Sequence, residues 1–285
     1  MKLIHSKREK PNKHRSKEPM LDSFHDTTLR TRLDVGSAQS VGRVRSHMED
    51  SALTLVFQTC TPDSQHTLGV FIVADGMGGH LNGEVASSLA VQTVSGRLIQ
   101  SVLEPLRLGQ HTFSAEEMDT ALTEALQAAQ ANVLGAVSGG GTTLTLGLVL
   151  DHTLHIAHVG DSRLYLAEGN GPLTARTLDH SLIRRLLDLG QISSEDVNNH
   201  PQRNVLFRAL GQAEGFKADI TSIPLTTPSL MLLCSDGLWG QVDEVSIQRT
   251  LETQPDLQNA ARRLVSQADE AGGVDNVSVI LVKIQ

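Results

Sequence analysis

The strongest constraint on the fold is where the aspartates fall relative to the apolar runs. Asp75 ends Val70-Phe71-Ile72-Val73-Ala74 and opens Asp75-Gly76-Met77-Gly78-Gly79-His80. Asp236 ends Leu230-Met231-Leu232-Leu233-Cys234-Ser235 and opens Asp236-Gly237-Leu238-Trp239-Gly240. Asp161 follows Ile156-Ala157-His158-Val159-Gly160, and Asp275 precedes Asn276 and the apolar run Val277 to Val282. Short runs rich in Val, Ile and Leu, bounded by Gly, Asp or Pro, read as strands, so four acids stand at strand edges. One Asp-Gly pair is a common turn dipeptide. Four acids at strand ends in one domain point to convergence on a shared site. Glycine after an acid lets the backbone approach a ligand and frees a carbonyl as a further donor. Oxygen donors without cysteine suit a hard cation such as Mg²⁺ or Mn²⁺ better than zinc.

Further strands are predicted at Ala52 to Phe57, Leu68 to Ala74, Thr142 to Leu150, Leu154 to Val159, Arg163 to Ala167 and Asn276 to Ile284. Amphipathic periodicity predicts helices over Gly83 to Leu103 and Ala115 to Val137, the latter opened by Ser114 and Glu117 at capping-box spacing. Shorter helices are expected at Ser181 to Leu189, Val242 to Leu251 and Leu257 to Glu270. The connections at Asp151 and Asp161 are too short for parallel crossovers, so those strands must be antiparallel. Helices segregated from an antiparallel sheet system give an α+β fold.

Composition removes several functional classes. Aromatic residues make up 3 % of the 285, which leaves no stacking platform for single-stranded nucleic acid, and the net charge of -8 opposes nucleic-acid binding by the body of the protein. No run reaches the roughly 18 apolar residues of a membrane span. Two cysteines, Cys60 and Cys234, form neither a disulfide framework nor a thiolate metal site, and a reducing cytoplasmic setting follows. Residues 1–32 differ from the rest, with nine basic residues against four acidic, and read as a basic, disordered N-terminal arm ahead of a domain spanning 33–285.

Ahead of the first acidic motif lies Gly42-Arg43-Val44-Arg45-Ser46-His47-Met48-Glu49-Asp50-Ser51. Arg45 supplies a guanidinium fork for phosphate oxygens beside the Glu49-Asp50 pair, although that spacing alone is better accounted for by a surface ion pair. Together with Gly141-Thr142-Thr143, Val159 to Tyr165, Asp179-His180-Ser181, Ser235 to Gly240 and Asp275 to Leu281, these stretches resemble the type 2C metal-dependent protein phosphatase family of bacterial style. They occur in the family's order from about residue 33 to the C-terminus.

The resemblance implies two packed antiparallel sheets flanked by helices, and a serine/threonine phosphatase that attacks phosphoserine or phosphothreonine with metal-activated water. It implies two Mn²⁺ or Mg²⁺ ions held by Asp75, the Gly76 carbonyl, Asp236 and Asp275, with a third ion, in bacterial-type members, on Asp161 and Asp236. Arg45 matches the phosphate-binding arginine, and Glu49 and Asp50 match acids that reach the site through water. The segment 178–211 is similar to the family's flap, in which Arg203 and Arg208 either meet substrate or form structural ion pairs. Met77 stands where some members carry a proton-donating histidine, which leaves His80 or a metal-bound water as donor. Implied partners are phosphorylated proteins and a Ser/Thr kinase, with the chain acting as a monomer. The competing reading is a catalytically silent phosphopeptide-binding module on the same fold. Trp239 reads as core packing, and His158, His180 and His200 as structural histidines.

Overall fold

The computed structural model describes residues 31–60, 65–78, 81–109, 112–193, 200–202, 204–212 and 216–285. The basic arm up to Arg30, His80 and Arg203 lie outside them, and Thr31–Gln285 forms one compact unit. Along the chain run β1 (Leu33–Ser40), β2 (Asp50–Cys60), β3 (Gln65–Met77), α1 (Leu81–Leu98), a π-helical turn (Ile99–Leu103), α2 (Glu104–Arg107) and α3 (Ala115–Ala136). Then follow β4 (Gly141–Thr142), β5 (Leu144–Leu150), β6 (Thr153–Val159), β7 (Arg163–Glu168), β8 (Thr174–Ala175) and α4 (Leu182–Asp188). The chain ends with β9 (Asp219–Pro224), β10 (Ser229–Cys234), α5 (Asp236–Trp239), α6 (Glu244–Thr253), α7 (Leu257–Glu270) and β11 (Val277–Ile284).

Two sheets form, in the orders β1-β11-β10-β7-β8 and β2-β3-β5-β6-β9, with β4 beside β3. Every pairing is antiparallel. The expected α+β sandwich is thus the observed one. Between the sheets lie Phe71, Val73, Val149, Ile156, Met231, Leu233, Ile280 and Val282. The other face of β3 and β5 packs Ile72, Leu146 and Leu148 against Ala90, Val94, Leu122 and Leu126 of α1 and α3. The outer face of the first sheet packs Leu232, Val279 and Leu281 against Ala261, Leu264 and Ala268 of α7. Strands in the middle of such a four-layer stack are buried on both faces, which is why they read as continuous apolar runs.

Helix boundaries hold local surprises. The capping box is present at α3, where Glu117 N–H donates to Ser114 Oγ and Ser114 N–H to Glu117 Oε2. The first long helix does not end near Leu103 as its periodicity predicts. It widens into the π-turn and continues as α2, with Pro105 in the first turn of α2, where a residue without an N–H interrupts the ladder beside the wide turn. The run Thr142 to Leu150 is two strands, because Thr143 turns its amide to the Asp75 carbonyl. Edge strands β1 and β9 escaped the periodicity reading. Each has a half-open face and mixes polar with apolar residues. No described helix is long and apolar enough to cross a membrane.

Candidate active site

Strand register alone carries the acids to one end of the sandwich. In one sheet Asp50 pairs with Asp75, and Val73, Thr145, Leu144 and Val159 continue that edge across β3, β5 and β6. In the other, Cys234 lies opposite both Val279 and Arg163, so Asp236 just beyond β10 and Asp275 just before β11 stand at a common edge. Asp161 occupies the turn from β6 to β7, which crosses from one sheet to the other.

Side chains then lock the two edges together. Asp50 is fully buried, and its Oδ2 accepts from Ser235 Oγ at 2.8 Å and Ser278 Oγ at 2.7 Å, both on the opposite sheet. Asn276 donates to the carbonyls of Val41 and His47 and accepts from Glu49 N–H, which pins the Arg45 loop to the start of β11. Gly76 and Gly237 owe their identity to packing. A Cβ on Gly76 would stand 2.2 Å from the Gly83 carbonyl oxygen at the start of α1, and one on Gly237 would stand 1.9 Å from that of Asn276. Asp75 and Asp236 can approach other elements because the next residue has no side chain.

The electrostatics are those of crowded, desolvated acids. Burial is the first cause that raises the Asp75 and Asp161 carboxyls well above the ordinary range, followed for Asp75 by Asp50 and Asp236, and for Asp161 by Asp236. Burial likewise pushes Asp50 to about 7 and Asp236 to about 6, with Asp275 among the charges that add to each. One Asp236 oxygen lies within hydrogen-bonding reach of the Asp75 carboxyl, while Asp236 Oδ1 and Asp50 Oδ1 are buried without a protein partner. Two orphaned, buried anionic oxygens among like charges constitute a strained arrangement that a divalent cation relieves. Among the described residues no three His, Cys, Asp or Glu side chains form a closed ligand set. A hard cation that keeps several waters needs only one or two carboxylates and a carbonyl, so the donors present fit it.

Arg45 is half exposed and rests on Asp275, its Nη2 donating to Oδ2 at 2.7 Å. Burial works against its charge, and Asp275, Glu49 and Asp75 outweigh that, so its pKa stands above the ordinary value. Asp275 Oδ1 accepts its neighbour's N–H from Asn276. Glu49 is half-buried against Gly83, whose Cβ would meet its Oε2 at 2.6 Å. Met77 packs beside Gly141. Arg208 pairs with Asp219 at 3.4 Å, the structural alternative of the two expected for it.

Trp239 does more than the sequence showed. It packs, half-buried, against the core cluster of Cys234 and Leu238 as expected, but it is more than filling: its Nε1–H donates to the Asp161 carbonyl at 3.0 Å, and the Arg163 guanidinium stacks 3.7 Å from its ring centre. Arg163 in turn makes a two-pronged bond to Asp179. Asn276, Ser235, Ser278 and Trp239 were not picked out as site residues from the sequence, since isolated Ser, Asn and Trp carry no spacing signal. A cavity of about 180 Å³ opens between Asp161, Asp236 and Asp275 on one side and Ile183, Leu187 and Trp239 on the other.

The family profile described as "Protein phosphatase 2C" matches residues 34–277. The chain belongs to the protein phosphatase 2C family. It is a serine/threonine phosphatase of bacterial type. The phosphatase is 37 % identical over 248 residues to the "Serine/threonine phosphatase stp" of Listeria monocytogenes, covering 85 % of this chain and 92 % of that one. Its fold matches the crystal structure of the Mycobacterium tuberculosis serine/threonine phosphatase PstP/Ppp with a TM-score of 0.72 at 30 % identity, over 88 % of this chain and 98 % of the other. It also matches a PstP catalytic domain solved in complex with two manganese ions, with a TM-score of 0.71 at 29 % identity, over 89 % and 99 % of the two chains.

Proposed function

We propose that the phosphatase hydrolyses phosphoserine and phosphothreonine in proteins at a site where Asp75, the Gly76 carbonyl, Asp236 and Asp275 hold two Mn²⁺ or Mg²⁺ ions. Asp161 with Asp236 provides for a third. The observation that supports this most is the knot of carboxylates, Asp161 buried and Asp75 and Asp236 half-buried, whose pKa values desolvation and mutual repulsion raise, with Asp236 Oδ1 left without a protein partner. Such ions, when bound, acidify water and neutralise phosphoryl oxygens.

The chain's own residues do the rest. Asp50, clamped through Oδ2 by two serine hydroxyls, holds a fixed buried carboxyl directly behind Asp75 and Asp236 and adds its charge to that of the site. Arg45 uses one N–H on Asp275 and keeps others for the equatorial phosphoryl oxygens, on a loop that Asn276 holds in register. Glu49 adds negative charge beside Arg45, whose guanidinium is cationic in any case. The peptide flanking the phosphorylated residue occupies the cavity beside α4 and Trp239, whose floor is partly apolar. Met77 carries no acidic proton, so the leaving alkoxide takes its proton from water or from His80, which lies outside the described residues.

A phosphoprotein substrate implies a Ser/Thr kinase as counterpart. The buried Cys234 thiol, which burial pushes up to about 12, is inert and agrees with a reducing cytoplasmic setting. The deciding experiment is Mn²⁺-dependent phosphate release from a phosphothreonine peptide, with Asp236→Asn as control and para-nitrophenyl phosphate as the small-ester comparison. Near-complete loss in the variant is expected. A fully active Asp236→Asn protein would remove the basis of the assignment.

A further inference from the structure

Two histidines lie in tilted ring contact beside the Asp161 turn, where the catalytic reading gives them no role. The rings of His158 on β6 and His180 stand 4.9 Å apart, and both residues are buried. His180 grips Gly160 twice: its N–H donates to the Gly160 carbonyl at 2.7 Å, and its Nδ1 accepts the Gly160 N–H at 3.1 Å. The second bond decides the tautomer. A backbone N–H only donates, so Nδ1 is the bare nitrogen and Nε2 carries the proton. Nε2–H then donates to Asp219 Oδ2 on β9 at 3.1 Å, and Arg208, 3.4 Å away, turns its own N–H to Asp219 Oδ1.

The same residue also closes the base of the segment 178–211. Its carbonyl accepts from Phe207 N–H, Ser181 bridges to Leu206, and Leu182 N–H donates to the Val205 carbonyl. Gly160 needs an external hold. Its φ is +110°, and a Cβ there would stand 2.5 Å from Thr143 Cβ, so no side chain of its own can brace the turn. His180 holds the turn just before Asp161, and the Trp239 indole holds the Asp161 carbonyl just after.

We propose that His180 is a positioning residue: through its Nδ1 bond to Gly160 it sets the Asp161 turn and thereby couples divalent-cation binding at Asp161 to the base of the segment 178–211. The inference rests on the reading that Asp161 and Asp236 hold a cation. A histidine that only filled space would contribute to folding and leave cation affinity alone.

The test compares His180→Ala, His180→Gln and His180→Asn in the full chain. An asparagine amide oxygen can stand near Nδ1 and accept the Gly160 N–H. The glutamine amide reaches toward Nε2 and leaves that N–H unanswered. Each variant is assayed for kcat and KM on a phosphothreonine peptide, for Mn²⁺ binding by titration calorimetry, and for melting in chelator. In the Ala and Gln variants we expect kcat to fall about tenfold, the size of one backbone hydrogen bond, with KM within about twofold. The weakest class of Mn²⁺ sites should lose about tenfold in affinity in the same two variants, and Asn should restore most of both. Asn behaving like Gln, or Mn²⁺ affinity unchanged in Ala and Gln, would overturn the role. Asp219→Ala, on a half-exposed edge position, serves if the His180 variants do not fold. It frees Nε2 and should give a loss of about threefold in kcat and Mn²⁺ affinity; no loss in either overturns the proposal. Asp236→Asn separates the two failures. If it stays active the catalytic reading falls, whereas if it is dead and Asn still fails to rescue, only the role of His180 falls.

Discussion

Replacing Asn276 with alanine should damage stability and phosphate handling together. Its side chain, 3 % exposed, donates to the carbonyls of Val41 and His47 at 2.8 and 2.9 Å and accepts from Glu49 N–H at 2.6 Å. Three bonds at a net ~1 kcal/mol each total about 3 kcal/mol, but the loop carbonyls lie near the surface and regain water, so about 2 kcal/mol is expected. For a domain of this size that lowers the melting temperature by about 4–8 °C. Because the same bonds hold the Arg45 loop, kcat/KM on a phosphothreonine peptide should fall about tenfold. Urea unfolding in chelator, with an unchanged m-value, separates stability from cation binding. Asn276→Asp keeps the acceptor, deletes both donors and adds charge beside Asp275, so it should be the worse of the two in chelator. A loss under about 0.5 kcal/mol, or an unchanged kcat/KM in a destabilised variant, would refute the claim that Asn276 sets the loop.

Other consequences are as direct. His158 is buried neutral, with its pKa lowered to about 4 by burial first and by His180 second, whereas the unfolded chain titrates near 6.5. The unfolded state therefore takes the proton first, and stability present above pH 6.5 is lost as pH falls toward 4. At 1.36 kcal/mol per unit this reaches about 3 kcal/mol, read as wild type minus His158→Gln in denaturant titrations across that range; parallel curves would refute it. In chelator at pH 7.5, Asp236→Asn should melt above wild type, because it removes a buried charge that its neighbours oppose, while the Mn²⁺-induced rise in melting temperature should shrink. Equal melting in chelator would show that the acids do not repel one another. Gly237→Ala, whose new Cβ would meet the Asn276 carbonyl oxygen at 1.9 Å, should cost about 1–3 kcal/mol and most of the turnover. A stable, active Gly237→Ala enzyme would show that the contact is slack.

What could be read without the fold is what local chemistry dictates. Apolar runs such as Val70 to Ala74 and Leu230 to Cys234 must be central strands, Ser114 and Glu117 must cap a helix, and an acid ending such a run must stand at a sheet rim. The ordered motifs extended that to the family and to the acids Asp75, Asp161, Asp236 and Asp275. Edge strands β1 and β9 were not legible, because their sequences, Leu33–Ser40 and Asp219–Pro224, mix polar and apolar residues without a clean run or alternation, whereas the edge strand β2 keeps an apolar run. The tertiary structure alone decided which groups meet across the sandwich: Ser235 and Ser278 on Asp50, Asn276 on the Arg45 loop, the Trp239 indole and His180 on the turn around Asp161. Those bonds join residues up to more than two hundred positions apart, and hydrogen bonding between polar side chains has no periodicity that a linear pattern can carry. The glycines after Asp75 and Asp236 show the division well. Their places were visible in the chain, but the carbonyls of Gly83 and Asn276 that forbid a side chain there exist only once the strands have paired.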